Sequence, residues 1–584
     1  MFRVGRSDET ATTTGLTHLV EHLALPARSR RSLDFNGTVD NILTCFWAAG
    51  PEAEAREFVR ATTATLSALP IERLETERQV LLAEEATQGP NLTRLAFALR
   101  YGPLGQGLTG YDEYGLRRIS AEEVTAWASS RFNRGNAAIW MTGPDPGSLG
   151  VGLPEGPRYP PPETVTIQEV AESLPSLYRG GPPGAIALSI ESERTPAFRV
   201  GLSILGHRIQ DRLRFELGLT YEVESVFVPL TAESVHVVIV CDATEQNARR
   251  VCEEILSTID TLAADGPTPE ELQEELLDTQ RLAADRSQVT SQLFYAAAQH
   301  LMGESFKSAR EHLETQERLT AAEVAAAIEV ARRSAIVIVP EAPAELSGLN
   351  DYPTSSPVAV TGRRFTGAGV RLRRRGWEPV LTVGEQGVTI AAEQWRTTVA
   401  FDRCVALLRY PDDTRTLLGE DGYFAHVDPR AWRRGMDAAA AIDAAVPEEL
   451  VIRMEPALTA HSDAVERVAA EKLKRRWVVS EELELLPGRL EHGETILTLC
   501  EASKGMRAGL LAVTDRRLIF FARIRKETWL EFTFGEIDRI EGSEGILDST
   551  VKIEARGEEI TFSGIAPKER TLEVVGEVES RRGG

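Results

Sequence analysis

Residues 14–25 read TGLTHLVEHLAL, and residues 75–91 read ETERQVLLAEEATQGPN. The first run sets Leu16, Leu19, Val20 and Leu23 at helical spacing, with a threonine available as cap and Pro26 closing it, so a short amphipathic helix is predicted. His18 and His22 stand four residues apart and project from one face of that helix, close enough to ligate one ion, with Glu21 beside them. The second run sets Glu77 and Glu84 about two helical turns apart, again on one face. A surface helix that carries two histidines by chance gives the same five-residue pattern, so the pattern needs a further ligand from a second element.

Around these two runs lie 584 residues, too many for one hydrophobic core, and roughly three or four domains are expected. The hydrophobic fraction of 42% and charged fraction of 26% are those of a folding globular chain. A net charge of -23 argues against nucleic acid as a partner. Five cysteines, none in a CxxC pair, suggest neither a disulfide framework nor a thiolate zinc site. They read as core residues of a reduced, cytoplasmic protein. The first residues lack the basic head and apolar run of a signal peptide, and no stretch reaches the ~18 apolar residues of a membrane span.

Residues 38–48 are β-branched and aromatic after the pair Asn36-Gly37, and predict a strand. Helices follow over 51–69 and 71–87, separated by Pro70, then over 91–100 and 120–131, before a buried strand AAIWMTG at 137–143. After the proline-rich stretch 154–162 a second unit begins, with a strand at 235–240, helices at 244–264, 269–302 and 320–332, and the strand AIVIVP. Residues 341–362 read as a linker. Beyond it short strands and turns dominate, with helices near 430–445 and 460–478 and a strand-rich block at 490–563. The expected domains are 1–160, 161–345, 363–480 and 486–584.

HLVEH followed by ERQVLLAE resembles the paired signature of the M16 (pitrilysin or insulinase) family of zinc peptidases. On that resemblance His18, His22 and Glu84 hold Zn2+, Glu21 is the general base acting on water, and Glu77 is an acid that orients the site. Asn36-Gly37-Thr38 resembles the family segment whose strand edge takes substrate backbone as an added strand. RYGPLGQGLTGYDEYGLRRIS (100–120) resembles its glycine-rich series, and RFELGLTYEV (214–223) its Arg-x6-Tyr motif, which implies substrate-binding roles for Arg214 and Tyr221. The likeness covers about residues 1–335. It departs from the family in a missing or shortened first strand, a shorter interval from His22 to Glu84, and two domains where single-chain members carry four. A homodimer or an M16-like partner subunit is therefore implied.

LAVTDRRLIFF (511–521) and EIDRIEG (536–542) resemble bacterial PH-like domains, and the central strand block reads as a divergent copy. Such a fold does not name its ligand, and weak membrane or protein contact is one use of it. The basic runs at 371–377 and 472–477 read as solvated faces. The expected architecture is α+β: two αβ-sandwich domains of M16 type, then one or two small PH-like β-rich domains. The expected function is zinc endopeptidase cleavage of small or unfolded peptides. The rivals are an inactive M16-like subunit and an adaptor that works through its PH-like modules.

Overall fold

The helix that carries HLVEH, α1 (Leu16–Ala24), buries Leu16, Leu19, Val20 and Leu23, so its apolar stripe faces inward as its spacing requires. The computed structural model describes residues 1–26, 33–87, 91–143, 149–182, 184–244, 246–340, 346, 348–367, 379–392, 395–454, 465, 468–473, 479–490, 494–505, 507–522, 528–544 and 549–582. These fall into two units, Met1–Met454 and Glu455–Gly584. The basic run 371–377 lies outside the described residues, as does most of the helix expected at 460–478 and of the basic run 472–477.

After α1 come β1 (Asp34–Val39), β2 (Thr44–Ala49), α2 (Glu52–Ser67), α3 (Leu74–Thr87), α4 (Leu92–Tyr101) and α5 (Ala121–Arg131). The strand expected over 38–48 is instead a hairpin. Its turn falls at 40–43, where Asp40 N–H donates to the Leu43 carbonyl at 2.8 Å, and Gly37 sits inside β1 rather than in a turn. The expected strand AAIWMTG does not form. Among the described residues Ala137 makes an isolated bridge to Phe2, which also pairs with Thr44. Ala138 and Trp140 pack instead against a small core with Ala297 and Leu301.

The second half of the unit contains α6 (Gln168–Ser173), β3 (Ser176–Gly181), β4 (Ala185–Glu193), α7 (Pro196–Gln210), β5 (Val223–Pro229), β6 (Ser234–Asp242), α8 (Ala248–Asp265), α9 (Pro269–Ala284), α10 (Val289–Met302), α11 (Ala309–Gln316), α12 (Ala321–Arg333), β7 (Ile336–Pro340) and β8 (Asn350–Asp351). The single helix expected over 269–302 is broken at Asp285, whose carboxylate accepts from Ser287 N–H at 2.8 Å and opens a new turn. The six strands run in the order β5-β6-β4-β7-β3-β8. One face is covered by α7, α8 and α12 through residues such as Leu205, Val251 and Ile328. The other face receives α4, where Ala96 meets Ala187, Val238 and Ile338. Buried Arg100 locks that contact by donating to the carbonyls of Ser189 (3.0 Å) and Ser334 (2.7 Å).

The central block forms two four-stranded sheets. One is β9 (Arg363–Thr366), β10 (Val380–Val383), β11 (Gly387–Ala392) and β12 (Trp395–Ala400). The other is β13 (Cys404–Arg409), β14 (Arg415–Gly419), β15 (Phe424–Val427) and β16 (Val451–Arg453), with α13 (Gly435–Ala445) ahead of β16. The second unit contains α14 (Ser480–Leu485), β17 (Ile496–Lys504), β18 (Arg507–Thr514), β19 (Arg517–Ala522), β20 (Thr528–Thr533), β21 (Ile537–Glu544), β22 (Ser549–Ala555), β23 (Glu558–Ala566) and α15 (Arg570–Arg582). Leu511, Val513, Leu518 and Phe520 are all fully buried, as their alternation predicts, against Val574 and Val578 of α15. Both blocks open with four strands in meander and continue with three more and a helix, after which the central block adds β16. All five cysteines are buried and free. Among the described residues no helix is long and apolar enough to cross a membrane.

Candidate metal centre

The N-terminus of α1 has no side-chain cap of its own, because its cap position is Gly15 at φ 91°. Glu9 supplies the missing acceptors from outside the helix: its carboxylate takes Gly15 N–H at 2.9 Å and Thr17 N–H at 2.6 Å. Burial nevertheless pushes the Glu9 pKa up to about 8. At the other end Arg73 donates to the Leu25 carbonyl at 3.1 Å, a cation at a helix C-terminus. α1 is thus pinned at both ends.

From its exposed side the two imidazoles meet edge to face, with ring centres 5.0 Å apart. Nδ1 of His18 lies 3.0 Å from Oε2 of Glu113, and Nδ1 of His22 lies 3.2 Å from Oε2 of Glu77. With Nδ1–H donated to a carboxylate, the Nε2 lone pair of each ring is left to face an ion. Glu77 is itself held by Arg73, and Glu113 by Arg6 at 3.2 Å. Ligand atoms of His18, Glu21 and His22 all lie within 4.8 Å of one another. The two neutral-capable imidazoles form a pair of donors that fits zinc, with carboxylates close by.

The charges follow from this packing. Burial disfavours protonated His18, but the hydrogen bond and charge of Glu113 outweigh it and raise its pKa. His22 is lowered by burial and by the neighbouring His18. Glu21 is raised to about 7, by burial first and then by the negative charges of Glu84, Glu77 and Glu113, against the opposing pull of His18. Glu113 falls below its ordinary value because its hydrogen bond to His18 and the charge of Arg6 together exceed the cost of burial.

Glu84 is exposed on α3 and lines the same cleft as His18, Arg6 and Glu113, outside the group of three atoms closest together. Glu85 lines the same cleft, where it accepts Glu113 N–H at 2.7 Å and pairs with Arg117 at 3.0 Å. β1 crosses close to Glu21. A Cβ at Gly37 would sit 1.8 Å from Oε1 of Glu21, so only glycine lets the strand approach. Among the described residues β1 pairs with β2 alone, leaving its other edge open, and Asn36 is exposed there.

Arg214 lies in a π-helical turn, Asp211–Glu216, that extends α7. Its guanidinium stacks over the exposed ring of Tyr221 at 5.1 Å. These two residues are therefore together, but among the described residues no hydrogen bond, ion pair or ring contact joins them to the histidines.

Residues 118–276 match the family model described as the peptidase M16 inactive domain, and residues 490–575 match the bacterial PH domain. The chain carries an M16-type domain and a bacterial PH domain. The matched M16 span includes the six-stranded sheet's first strands and begins after α1 and α3, so it contains neither His18 and His22 nor Glu84. The chain is also similar to a solved peptidase M16 inactive domain from Pseudomonas fluorescens, at 16% identity and TM-score 0.47, covering 59% of this chain and 93% of that one. A protease from Helicobacter pylori aligns at 14% identity and TM-score 0.49, covering 58% and 92%. Pitrilysin aligns at 15% and 0.46, covering 58% of this chain and 41% of its own. No match was found among curated proteins.

Around the two histidines, sequence reasoning missed Glu113 and Glu9. Glu113 lies in the quoted segment 100–120, and its position two residues before Gly115 carries no local signal of an imidazole partner. Glu9 caps a helix whose first residue is seven positions on, beyond the reach of the usual capping patterns.

Proposed function

We propose that the chain is a zinc-dependent endopeptidase acting on small or unfolded peptides. The observation that carries this reading is the pairing of both motif histidines, through Nδ1, with separate carboxylates, while Glu21 lies 3.6 Å from Nε2 of His22. That arrangement orients two ligands and a base at one point. His18 and His22 would hold the ion, with Glu84 from α3 as third ligand. A bound zinc ion supplies Lewis acidity, polarising a carbonyl and lowering the pKa of water. Glu21, raised toward neutrality by burial, accepts the proton that water releases and returns it to the leaving amine. The open edge of β1, with Asn36 and Gly37, takes the peptide backbone as an added strand and presents it to Glu21.

Among the described residues no hydrogen bond, ion pair or ring contact joins Arg214 or Tyr221 to this centre. A homodimer, or a partner of the same fold, would bring such a pair to the peptide and exclude water. A cytoplasmic site of action suits the five free cysteines.

The test compares zinc content and cleavage of a quenched peptide mixture by the wild type and by Glu21→Gln. The expected result is equal zinc in both and cleavage about 10²–10⁴ times slower in the variant. Zinc retained with no cleavage that Glu21→Gln abolishes would favour a second reading, an inactive M16-like subunit or PH-domain adaptor. The description of the matched family model as inactive supports that alternative.

A further inference from the structure

The central sheets do not stand apart from the metal-binding region. Between them and the segment that carries Glu113 lies a continuous apolar contact: Leu408, Leu418 and Ile452 pack against Leu108, with Tyr111 and Tyr114 along the same surface. The approach is close elsewhere too. A Cβ at Gly102 would meet the Glu420 carbonyl at 2.7 Å.

Glu113 sits between the two tyrosines that make this contact. Its backbone N–H is held by Glu85 and its carboxylate by Arg6 and His18. Two residues on, Gly115 N–H donates to Thr14 Oγ1 at 3.0 Å, and the Leu116 side chain lies against Gly15. One short segment therefore touches the central sheets on one side and both His18 and the start of α1 on the other. The strands that make the contact are two-faced: Leu407 and Leu417 point into the core of the central block, whereas their neighbours Leu408 and Leu418 point at the Glu113 segment.

We infer that the central β-block is a brace for the metal centre, holding the Glu113 segment so that its carboxylate fixes the His18 ring, and is not a detachable targeting module. This rests on the zinc reading of His18 and His22. The positioning residues are Tyr111 and Tyr114, which act through Glu113, and the load passes from β13, β14 and β16 across them. A ring held less firmly at Nδ1 presents Nε2 over a wider range of angles, which lowers metal affinity.

Leu407→Ala and Leu408→Ala remove the same side chain from adjacent positions on opposite faces of β13. Zinc affinity of the full chain, measured by chelator competition with zinc alone, is expected to fall by about tenfold or more in Leu408→Ala and to stay at the wild-type value in Leu407→Ala. Amide exchange of Glu113, Gly115 and Leu116, measured without zinc, is expected to speed up in Leu408→Ala only. In a Glu113→Gln background, Leu408→Ala should weaken zinc no further. Ile452→Val trims the same contact by one methylene and gives a milder variant should Leu408→Ala not fold. Wild-type zinc affinity in Leu408→Ala and Ile452→Val, or an equal loss in Leu407→Ala, overturns the brace while leaving the zinc reading intact. Absence of zinc binding by the wild type overturns both.

Discussion

Oε2 of Glu113 lies 3.0 Å from Nδ1 of His18, across 95 positions of chain, and Arg6 holds the other oxygen of the same carboxylate. This pair fixes the orientation of the first motif histidine, as Glu77 fixes that of the second. Glu113→Gln keeps the shape and removes the charge. Zinc affinity is expected to drop about 10–100-fold, read by chelator competition. A change within twofold would remove Glu113 from the site.

Gly37 lies against Glu21, since a Cβ there would sit 1.8 Å from Oε1 of that carboxylate. Gly37→Ala must displace either the Glu21 carboxylate or β1. A shift of about 1 Å at the reacting group costs on the order of 10²-fold in rate. Cleavage is expected to fall by that amount with zinc content retained and thermal unfolding little changed, because β1 lies at the surface. Undiminished cleavage would show that Glu21 does not need its present position.

His236 sits fully buried on β6, its Nε2 2.8 Å from Ser189 Oγ and its ring 4.4 Å from that of Phe97. Burial, then the nearby charge of Arg100, holds its pKa well below the ordinary 6.5. Folding therefore favours the neutral ring. Above pH 6.5 both states are neutral and the effect is nil. As pH falls below that, the unfolded chain takes up a proton that the folded chain refuses, and stability is lost at up to about 1.4 kcal/mol per pH unit. Denaturant midpoints of the wild type should decline between pH 6.5 and about 5 on this account, and His236→Phe should flatten the decline. An unchanged slope in the variant would place the acid sensitivity elsewhere.

Tyr221 is 75% exposed and meets Arg214 only through a stacked contact at 5.1 Å. Such a pair contributes little to stability. Arg214→Ala and Tyr221→Phe are expected to leave the free energy of unfolding within about 0.5 kcal/mol of wild type while slowing peptide cleavage. Loss of stability without loss of cleavage would make the pair structural.

Read by itself, the sequence determined the parts of this protein whose information is local. The amphipathic period over 16–24 made α1 a helix, and that period set His18 and His22 on one face with Glu21 between them. Glu77 and Glu84 share a face of α3 for the same reason, and the alternation of Leu511, Val513, Leu518 and Phe520 built a half-buried sheet. What tertiary structure decided was everything set by partners far along the chain. The segment 38–48 became the end of β1, a turn and most of β2 because the ladder turns at 40–43, and Gly37 lies inside a strand that passes close to Glu21. Among the described residues AAIWMTG makes a single bridge, to Phe2, and packs its Ala138 and Trp140 against Ala297 and Leu301 instead of forming a strand. Glu113 reached His18, and Glu9 the start of α1, through packing of elements that no periodicity links. Periodicity records which face of an element is apolar; it holds no record of which distant carboxylate will stand opposite a given imidazole, because that is fixed only when the faces are packed together.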